Sequence, residues 1–398
     1  MPILQIGLLG KANVGKSTFF SAATETPVAI GNFPFTTISP NVGVAYVKSE
    51  CACKHFGIAH KNDLCVNGIR FIPVKLIDVA GLVPGAHEGK GLGNQFLDDA
   101  RQAEVLIHVV DIAGATDIQG QPVPIGSHDP LKDIEFVNEE FDEWFLDILK
   151  REWDKLTREI DQKRAKLTDG IAKRFTGLGI KDYHVQDVLQ KLGLVSKNPK
   201  DWNDSDLLTF VKELRKNTKP IIVAANKADL CKDLDIVKKI TEPVILCSAE
   251  TELLLRKASK AGIVRYDPGD ESFSLVEGKE ILPPQKKALD VVSTVFSKIH
   301  STGVQKILNM AVFDLLKFIV VYPVEDESKL TNKDGDVLPD AKLLPADSTA
   351  KDLAVMIHAD IAKGFLHAID CKTKQRIGGD HKLKNGDVIK IVSTLSRG

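Results

Sequence analysis

Apolar residues in this chain recur with two different periods, and the two alternate along the sequence. Short, continuously apolar runs bounded by polar turns predict buried strands at residues 5–10, 41–47, 71–78, 105–110, 220–225 and 244–247. Helix-like stretches lie between many of them. Strands that alternate with helices are typical of a parallel, doubly wound sheet, so we expect an α/β protein.

The interval from Asp111 to Lys219 is too long for a single crossover between neighbouring strands. Apolar residues within it recur at spacings of four and three and form one predicted helical stripe, namely Phe141, Phe145, Leu149, Trp153, Leu156 and Ile160. Further helices are predicted at 185–192 and 207–214, the second capped by residues 203–205. We therefore predict a helical domain at 133–217, inserted into a nucleotide domain that comprises 1–132 and 218–310.

The C-terminal part has a different pattern. It predicts a strand at 318–324, a turn at 332–335, a helix at 349–361, and strands at 365–369 and 388–392. This composition indicates a separate small mixed β domain, which we place at 316–398.

Composition and charge narrow the functional classes. The chain has 398 residues, with 53 Lys and Arg against 54 Asp and Glu, so it lacks the strong positive charge of many nucleic-acid-binding proteins. No secretory signal and no apolar run long enough to span a bilayer is present, so we expect a cytoplasmic protein without a membrane partner. The oligomeric state stays open.

Six cysteines in a chain of this size do not suggest a disulfide framework. Cysteine and histidine cluster in one segment, which contains Cys51, Cys53, His55, His60 and Cys65. Such soft ligands can bind zinc, but the spacing matches no familiar zinc pattern. We favour an ordinary loop with free thiols and leave metal binding open.

A phosphate-binding motif follows the first predicted strand. Residues 10–17 fit G-x-x-x-x-G-K-[ST], in which backbone N–H groups cradle phosphate oxygens and the following helix directs its positive end at them. Lys16 is expected to reach the β and γ phosphates, and the Ser17 hydroxyl to bind Mg²⁺. The predicted nucleotide-binding residues here are Gly10, Asn13, Val14, Gly15, Lys16, Ser17 and Thr18.

Three weaker motifs follow later strands. Asp78 and Gly81 form D-x-x-G, in which the acid holds Mg²⁺ through water and the Gly81 N–H contacts the γ-phosphate. Asn226, Lys227 and Asp229 form N-K-x-D, whose aspartate can accept both the N1 and N2 protons of guanine. Ser248, Ala249 and Glu250 follow the next strand, where a backbone N–H can meet guanine O6.

The order of these motifs is more specific than any one of them. Each lies directly after a predicted strand, and nucleotide sites in open parallel sheets lie at the carboxyl ends of strands. The sequence therefore predicts a P-loop GTPase that binds GTP and GDP.

The chain also resembles a known family, the Obg group of translation-factor-like GTPases. Residues 32–37 (NFPFTT) are similar to the first switch of that group, and residues 78–86 and 89–96 resemble the second switch of its YchF branch, the Obg-like ATPases. The resemblance implies a helical insertion and a C-terminal TGS domain, a β-grasp unit. Many YchF proteins have lost the N-K-x-D aspartate and prefer ATP, whereas this chain keeps Asp229, so we predict GTP over ATP.

The resemblance also implies a partner. TGS domains are associated with RNA and ribosome contact, and this one is rich in basic residues near its end, namely Lys372, Lys374, Arg376, Lys382, Lys384 and Lys390. From the residues alone, a solvated charged face explains these positions equally well. The charged helices of residues 141–174 are a second candidate partner surface, although a solvated helical hairpin is the default interpretation.

Hydrolysis is expected to be slow. By resemblance, Thr37 binds Mg²⁺ in the first switch, with Thr36 as the alternative. Leu82 stands where Ras-like enzymes carry the glutamine that orients water, and leucine cannot do so. Asn13 matches an asparagine that helps bind K⁺ in potassium-activated relatives, so K⁺ stimulation is a hypothesis. His87 can position water, although a surface polar role is favoured.

Two remaining interpretations concern other residues and other functions. His108 lies inside an apolar strand and is expected to be a core residue. The slow switch with a ribosome or RNA partner competes with three alternatives. These are a nucleotide-gated protein-binding module, a nucleotide sensor with negligible turnover, and an ATP-preferring Obg-like ATPase.

Overall fold

The computed structural model describes residues 3–25, 41–79, 99–279 and 281–395. Its largest sheet has seven strands and contains every strand predicted for the nucleotide domain. The spatial order is β2 (Val42–Glu50), β4 (Ile69–Asp78), β1 (Gln5–Leu9), β5 (Val105–Asp111), β6 (Ile221–Asn226) and β7 (Val244–Leu246), with the short β3 (Cys65–Val66) beside β4.

The sheet is mixed, so the prediction of a parallel sheet is wrong at one edge. Strands β1, β4, β5, β6 and β7 pair in parallel. Strands β2 and β3 instead run antiparallel to β4. Between β2 and β4 the chain forms a short helix and β3, and β3 turns directly into β4 as an antiparallel hairpin.

Helices pack on both faces of this sheet. The α-helices of the described ranges as a whole, the last two of which lie in the C-terminal part, are α1 (Lys16–Thr24), α2 (Ala52–Phe56), α3 (Leu131–Lys150), α4 (Trp153–Asp161), α5 (Leu167–Arg174), α6 (Asp182–Lys191), α7 (Asp204–Thr218), α8 (Ala249–Lys260), α9 (Pro283–Ile299), α10 (Val304–Asn309), α11 (Ala350–Ile357) and α12 (Ala359–Lys363). The side chains of β5 are buried on both faces of the sheet. Val105, Ile107 and Val109 join the core under α1 and α10, while Leu106 joins the core under α3 and α7.

The long interval between β5 and β6 is helical, as predicted. The apolar stripe is divided between α3 and α4, because Glu152 has a φ of 57° and breaks the helix. Both halves still pack into one core through Phe145 and Leu156. Helix α7 begins at the predicted cap, where the Asn203 side chain accepts a 2.9 Å hydrogen bond from the Asp206 N–H.

Strands β8 (Val264–Arg265) and β9 (Ser274–Leu275) form a separate antiparallel pair. A second large sheet, of five strands, forms the C-terminal part. Its order is β11 (Lys342–Pro345), β10 (Phe318–Val324), β14 (Asp387–Ser393), β12 (Phe365–Asp370) and β13 (Gln375–Ile377). The central strands β10 and β14 are parallel, and their other neighbours are antiparallel. Leu353 of α11 packs on Val321 and Ile389 of this sheet. The single predicted helix is two helices, since His358 is extended between α11 and α12.

Residues 51–65 are more ordered than the predicted loop. They contain α2 and β3, and the buried Cys51, Ala52 and Cys53 share one core with residues of β10 in the second sheet. Arg70 of β4 is fully buried there, and its guanidinium lies 5.6 Å from the ring centroid of Tyr322 in β10. In the described ranges, every helix is too short or too polar to cross a membrane.

Candidate nucleotide-binding site

A cavity of about 630 Å³ opens at the carboxyl ends of the parallel strands. The loops after β1, β6 and β7 line it together, which places three of the predicted motifs around one space. The lining residues are Lys11, Ala12, Asn13, Gly15, Lys16, Ser17, Thr18, Asn226, Lys227, Asp229, Leu230, Ser248 and Glu250. Such a cavity is large enough for a nucleotide-sized ligand.

The phosphate loop needs its glycines for two reasons. Gly10 and Gly15 have φ values of 148° and 95°, a backbone conformation that side chains disfavour. Each also lies against a neighbour. A Cβ on Gly10 would lie 2.5 Å from the Val109 carbonyl oxygen, and a Cβ on Gly15 would lie 2.3 Å from Asn226 Nδ2. The loop is therefore packed directly against β5 and the N-K-x-D segment.

Asn226 connects the loops of the site. It is buried, and its Nδ2 donates a 2.8 Å hydrogen bond to the Val14 carbonyl oxygen. Its Oδ1 accepts a 3.0 Å bond from the Ala249 N–H. One side chain thus holds the phosphate loop and the segment after β7 in a fixed relation. Val14 and Ala249 are themselves buried beneath the cavity rather than exposed in it.

Lys227 also reaches the phosphate loop. Its ammonium donates 2.8 Å hydrogen bonds to the Asn13 carbonyl oxygen and to Asp111 Oδ2. Asp111 ends β5, is fully buried, and accepts a further 3.1 Å bond from the Thr116 hydroxyl. The sequence analysis did not single out Asp111, although an acid at the carboxyl end of an apolar strand is a signal for a site residue.

Lys16 and Asp78 lie at the same edge of the sheet. Lys16 Nζ lies 3.4 Å from Asp78 Oδ1 and donates a hydrogen bond to the Val79 carbonyl oxygen. Both side chains are less than one quarter exposed, at 14% and 20%. A lysine and a carboxylate at one point of the phosphate end suit an anionic ligand that arrives with a divalent cation.

Asp229 also lines the cavity, together with Ser248 and Glu250 of the segment after β7. Its neighbour Ala228 donates a 3.1 Å hydrogen bond to the Cys247 carbonyl oxygen, so the segments after β6 and β7 are fastened together. In the described part of the chain, no hydrogen bond engages the Asp229 carboxylate. Burial and the negative charge of Asp229 raise the pKa of the Cys247 thiol, which keeps that thiol neutral.

A buried ion pair connects the phosphate loop to the start of α3. Lys11 Nζ lies 2.8 Å from Asp133 Oδ2 and donates a 2.9 Å bond to the Thr116 carbonyl oxygen. Asp133 also lies 2.9 Å from His128 Nε2. These residues link the loop after β1 to the start of α3. Sequence analysis missed them because the partners are more than one hundred residues apart, at a separation of 122 for Lys11 and Asp133.

Several predicted residues fall outside the described ranges. They are Thr36 and Thr37 of the first switch and Gly81, Leu82 and His87 of the second. His108, by contrast, is described and is 2% exposed within β5. Burial, together with the nearby charge of Lys11, lowers the His108 pKa to about 3. The imidazole is therefore neutral at physiological pH, as expected of a core residue.

Models of three protein families match successive parts of the chain. Residues 5–144 match the family described as 50S ribosome-binding GTPase, and residues 330–393 match the TGS domain. Residues 224–326 match the family described as Obg-like GTPase YGR210-like, G4 motif-containing domain. These matches confirm the predicted fold class, a P-loop GTPase domain with a C-terminal TGS domain.

Whole-chain relatives cover nearly the same length. An uncharacterized GTP-binding protein of Methanocaldococcus jannaschii is 47% identical over 98% of both chains. An uncharacterized GTP-binding protein of Schizosaccharomyces pombe is 35% identical over 88% of this chain and 89% of its own. A crystal structure of a GTP-binding protein from Pyrococcus horikoshii is 40% identical, covers 98% of this chain and 100% of its own, and superposes with a TM-score of 0.76.

Proposed function

The chain belongs to the YchF/Obg-like family of P-loop GTPases, and on that premise we propose that it is a GTP-dependent switch with slow, magnesium-dependent hydrolysis. The observation that carries this proposal is the bridge made by Asn226. By holding both Val14 and Ala249, it joins the phosphate end of the cavity to the base end. A nucleotide that fills both ends therefore binds to loops that are already positioned.

Asp229 is the residue that selects guanine in this proposal. Its carboxylate is left without a hydrogen bond from the described residues and lines the cavity. Guanine offers N1–H and N2–H donors that a carboxylate accepts in a bidentate, charge-assisted pair, whereas adenine lacks this donor set. The alternative, an ATP-preferring Obg-like ATPase, predicts no role for Asp229.

Titration of GTP and ATP with Mg²⁺ and K⁺ present tests base selection. The wild-type protein is expected to prefer GTP, and Asp229→Ala is expected to lose roughly 100-fold or more in GTP affinity, since two hydrogen bonds to a charged group disappear. ATP affinity is expected to change little. Equal binding of ATP and GTP by the wild type, with no effect of Asp229→Ala, would replace this function by the ATPase alternative.

The phosphate end fits Mg²⁺ in its donor chemistry. The hydroxyl of Ser17 lines the cavity, and the carboxylate of Asp78 lies at the same edge beside Lys16. Oxygen donors of this kind are what Mg²⁺ binds, usually with several waters retained. When bound, the ion would offset negative charge on the β and γ phosphate oxygens. Ser17 would ligate it directly and Asp78 through water, with Thr37 as the third proposed ligand.

Slow turnover follows from the residue at position 82. Leucine has no hydrogen-bonding group with which to orient water, so the catalytic residues in this proposal are Lys16, Thr37 and the Gly81 N–H, with His87 as a weaker candidate. Single-turnover hydrolysis of GTP measures this rate. Rapid intrinsic hydrolysis would contradict the proposed role of Leu82, and undetectable turnover with and without a partner would favour a nucleotide sensor.

Stimulation by K⁺ rests on Asn13. Its φ is 61°, and its Nδ2 donates a 2.9 Å hydrogen bond to the Gly120 carbonyl oxygen. The amide nitrogen is the donor in that bond, so the side-chain oxygen is the atom that would coordinate a cation. Faster hydrolysis in KCl than in NaCl, lost in Asn13→Ala, is the expected result. Equal rates in the two salts would remove K⁺ from the mechanism.

The proposed partner is the ribosome, and the proposed location is the cytoplasm. Support comes from the family model that matches residues 5–144, described as ribosome-binding, and from the TGS domain. Several basic residues of the TGS domain are engaged internally. Lys382 contacts Asp347, and Lys390 contacts Glu327. This partial neutralisation favours a second candidate, a nucleotide-gated module whose partner is a protein.

Cosedimentation with ribosomes separates these two candidates. The first predicts binding that depends on a non-hydrolysable GTP analogue and weakens steeply with salt, since phosphate contacts release counterions. Binding of ribosome-free protein partners, with no salt-dependent RNA binding, would support the second.

We also propose a division into three domains: a nucleotide domain formed by 1–132 and 218–310, an inserted helical domain at 133–217, and a TGS domain at 316–398. It is supported by the helices between β5 and β6 and by the start of the second sheet at Phe318.

A further inference from the structure

Four metal-ligating side chains that the nucleotide site does not use converge between the two sheets. Cys51 follows β2, Cys53 lies in α2, His60 follows α2, and Cys65 lies in β3. One ligand atom from each of the four lies within 4.8 Å of all the others. His55, which belongs to the same cysteine-rich segment, is exposed and takes no part.

The spacing of these atoms matches a tetrahedral zinc ion. With Zn–S bonds of about 2.3 Å and a Zn–N bond of about 2.05 Å, a tetrahedron requires S···S edges of about 3.8 Å and S···N edges of about 3.6 Å. Cys53 Sγ and Cys65 Sγ lie 4.0 Å apart, and Cys51 Sγ lies 3.7 Å from His60 Nε2. Metal binding would require shifts of only a few tenths of an ångström along these edges.

The sulfur atoms are not arranged as a disulfide. An S–S bond is about 2.05 Å long, well short of the 4.0 Å between Cys53 and Cys65. All three cysteines are free thiols in the structure. A reducing compartment, where thiols persist, is also where such a cluster more often binds metal than forms a disulfide.

His60 is already oriented as a ligand. Its Nδ1 lies 3.1 Å from the Val337 carbonyl oxygen, which can only accept a hydrogen bond. The ring proton therefore belongs on Nδ1, and Nε2, the atom nearest Cys51, carries the free lone pair. A backbone carbonyl that fixes the tautomer in this way is the usual outer partner of a metal-bound histidine.

Arg70 provides a second, independent observation. It is fully buried, it pairs with Cys65 across β3 and β4, and its charge acts on Cys53 and His60. Its Nη2 donates to the Leu338 carbonyl oxygen, but its Nε and Nη1 find no hydrogen-bond partner among the residues that the structure describes. A buried cation with no negative partner is costly. Three thiolates around one Zn²⁺ carry a net charge of −1, which would offset it.

We propose that Cys51, Cys53, His60 and Cys65 bind one structural Zn²⁺ ion. Binding of Zn²⁺ by three thiols and a neutral imidazole releases three protons and forms three Zn–S bonds and one Zn–N bond. All four positions are filled by the protein, which is the arrangement of structural rather than catalytic zinc sites. The favoured expectation of an ordinary loop with free thiols is replaced by this proposal.

The ion would fasten the nucleotide domain to the TGS domain. Residues of the cluster segment already contact the C-terminal part: His60 contacts Val337, and Asn62 Nδ2 donates to the carbonyl oxygens of Leu338 and Pro339 at 3.2 and 3.1 Å. Tyr322 of β10 donates a 3.2 Å bond to the Glu50 carbonyl oxygen. Fixing residues 51–65 therefore fixes the face on which the second sheet rests.

Metal analysis of the purified full-length protein is the first test. The expected result is one zinc per chain, released when a mercurial reagent titrates the thiols. His60→Gln is expected to lose the zinc, whereas the matched change His55→Gln, in the same segment but outside the cluster, is expected to keep it. Absence of zinc from the wild type, or equal zinc in the two variants, would overturn the proposal.

Cobalt substitution tests the ligand set without a variant that has to fold. Co²⁺ bound by three thiolates and one imidazole in a tetrahedron gives intense visible d–d bands and a near-ultraviolet thiolate charge-transfer band, which Zn²⁺ abolishes on addition. Weak bands of octahedral Co²⁺ would overturn the site. Guanine-nucleotide binding, measured in parallel, reports separately on the nucleotide domain.

Discussion

Asn226 Nδ2 donates a 2.8 Å hydrogen bond to the carbonyl oxygen of Val14, a residue 212 positions earlier in the sequence. The same side chain accepts from the Ala249 N–H through its oxygen. No other amino acid of this size offers one donor and one acceptor in a planar fork, except aspartate when it is protonated. A single carboxamide therefore positions the proposed phosphate-binding loop relative to the segment after β7, which is proposed to contact the base.

Asn226→Ala is predicted to weaken GTP and GDP binding by roughly 10- to 100-fold each. The change leaves the buried Val14 carbonyl and Ala249 N–H without their partner, and an unsatisfied buried group costs about 1–3 kcal/mol. Both nucleotides lose equally because the bridge contacts neither the base nor the γ-phosphate. Fluorescent GDP dissociation and GTP competition measure this. A loss confined to one nucleotide would show that Asn226 acts on the ligand rather than on the loops.

Gly15→Ala is predicted to abolish nucleotide binding and to destabilise the nucleotide domain. The new Cβ would lie 2.3 Å from Asn226 Nδ2, at a φ of 95°. Gly179→Ala is the matched control, because Gly179 also has a positive φ of 71° but a Cβ there meets nothing within 4 Å. The control is expected to show only the strain of its backbone conformation. Similar losses of GDP affinity in both variants would mean that the contact with Asn226 is irrelevant.

Acidification is predicted to destabilise the protein through His108. Burial lowers the folded-state pKa from 6.5 to about 3, so the unfolded state binds more protons at mildly acidic pH. Stability from this residue is complete above about pH 6.5 and is lost progressively as the pH falls toward 3. At pH 5 the loss amounts to about 2 kcal/mol in the free energy of unfolding.

Urea unfolding of the wild type and of His108→Gln at pH 7 and pH 5 checks this prediction. Glutamine keeps a polar side chain but does not titrate, so the pH-dependent part of the destabilisation should shrink by that amount. The comparison uses the difference between the two pH values, because the substitution itself disturbs an apolar strand. An unchanged pH dependence in His108→Gln would assign the acid sensitivity to other groups.

Much of the fold could be predicted from the local pattern of apolar and polar residues. Many of its strands are short apolar runs, and several of them lead directly into a nucleotide-binding motif. The six strands of the nucleotide domain and the cap at Asn203 are examples. Local pattern did not reveal strand direction at β2, since direction depends on the route by which the chain returns to the sheet. It also did not reveal the break at Glu152, where a residue with good helix propensity has a positive φ.

The candidate site was predictable where its residues are consecutive, since residues from both 10–18 and 226–229 line one cavity. It was not predictable where a residue's role depends on a distant partner. Asp111 ends an apolar strand, which is a general signal for a site residue, but its specific role depends on Lys227, 116 residues later. His60 is half-buried and contacts the Val337 carbonyl, 277 residues away, whereas His55 is exposed. The spacing of the cysteines matched no familiar zinc pattern, although the folded chain brings four potential metal ligands within 4.8 Å of one another.

Guanine selection by Asp229 is the central claim. A substitution that changes the hydrogen-bond donors and acceptors of this side chain tests it most directly. Asp229→Asn replaces two acceptors by one acceptor and one donor. That pattern suits xanthine, which carries a carbonyl oxygen where guanine carries its 2-amino group, and no longer suits guanine.

The decisive measurement is calorimetric titration of GTP and XTP into the wild type and Asp229→Asn, with Mg²⁺ present. We predict that the wild type binds GTP and not XTP, and that Asp229→Asn reverses this order, with each change on the order of 100-fold in Kd. Retained GTP preference in Asp229→Asn, with no gain in XTP affinity, would contradict base recognition by Asp229.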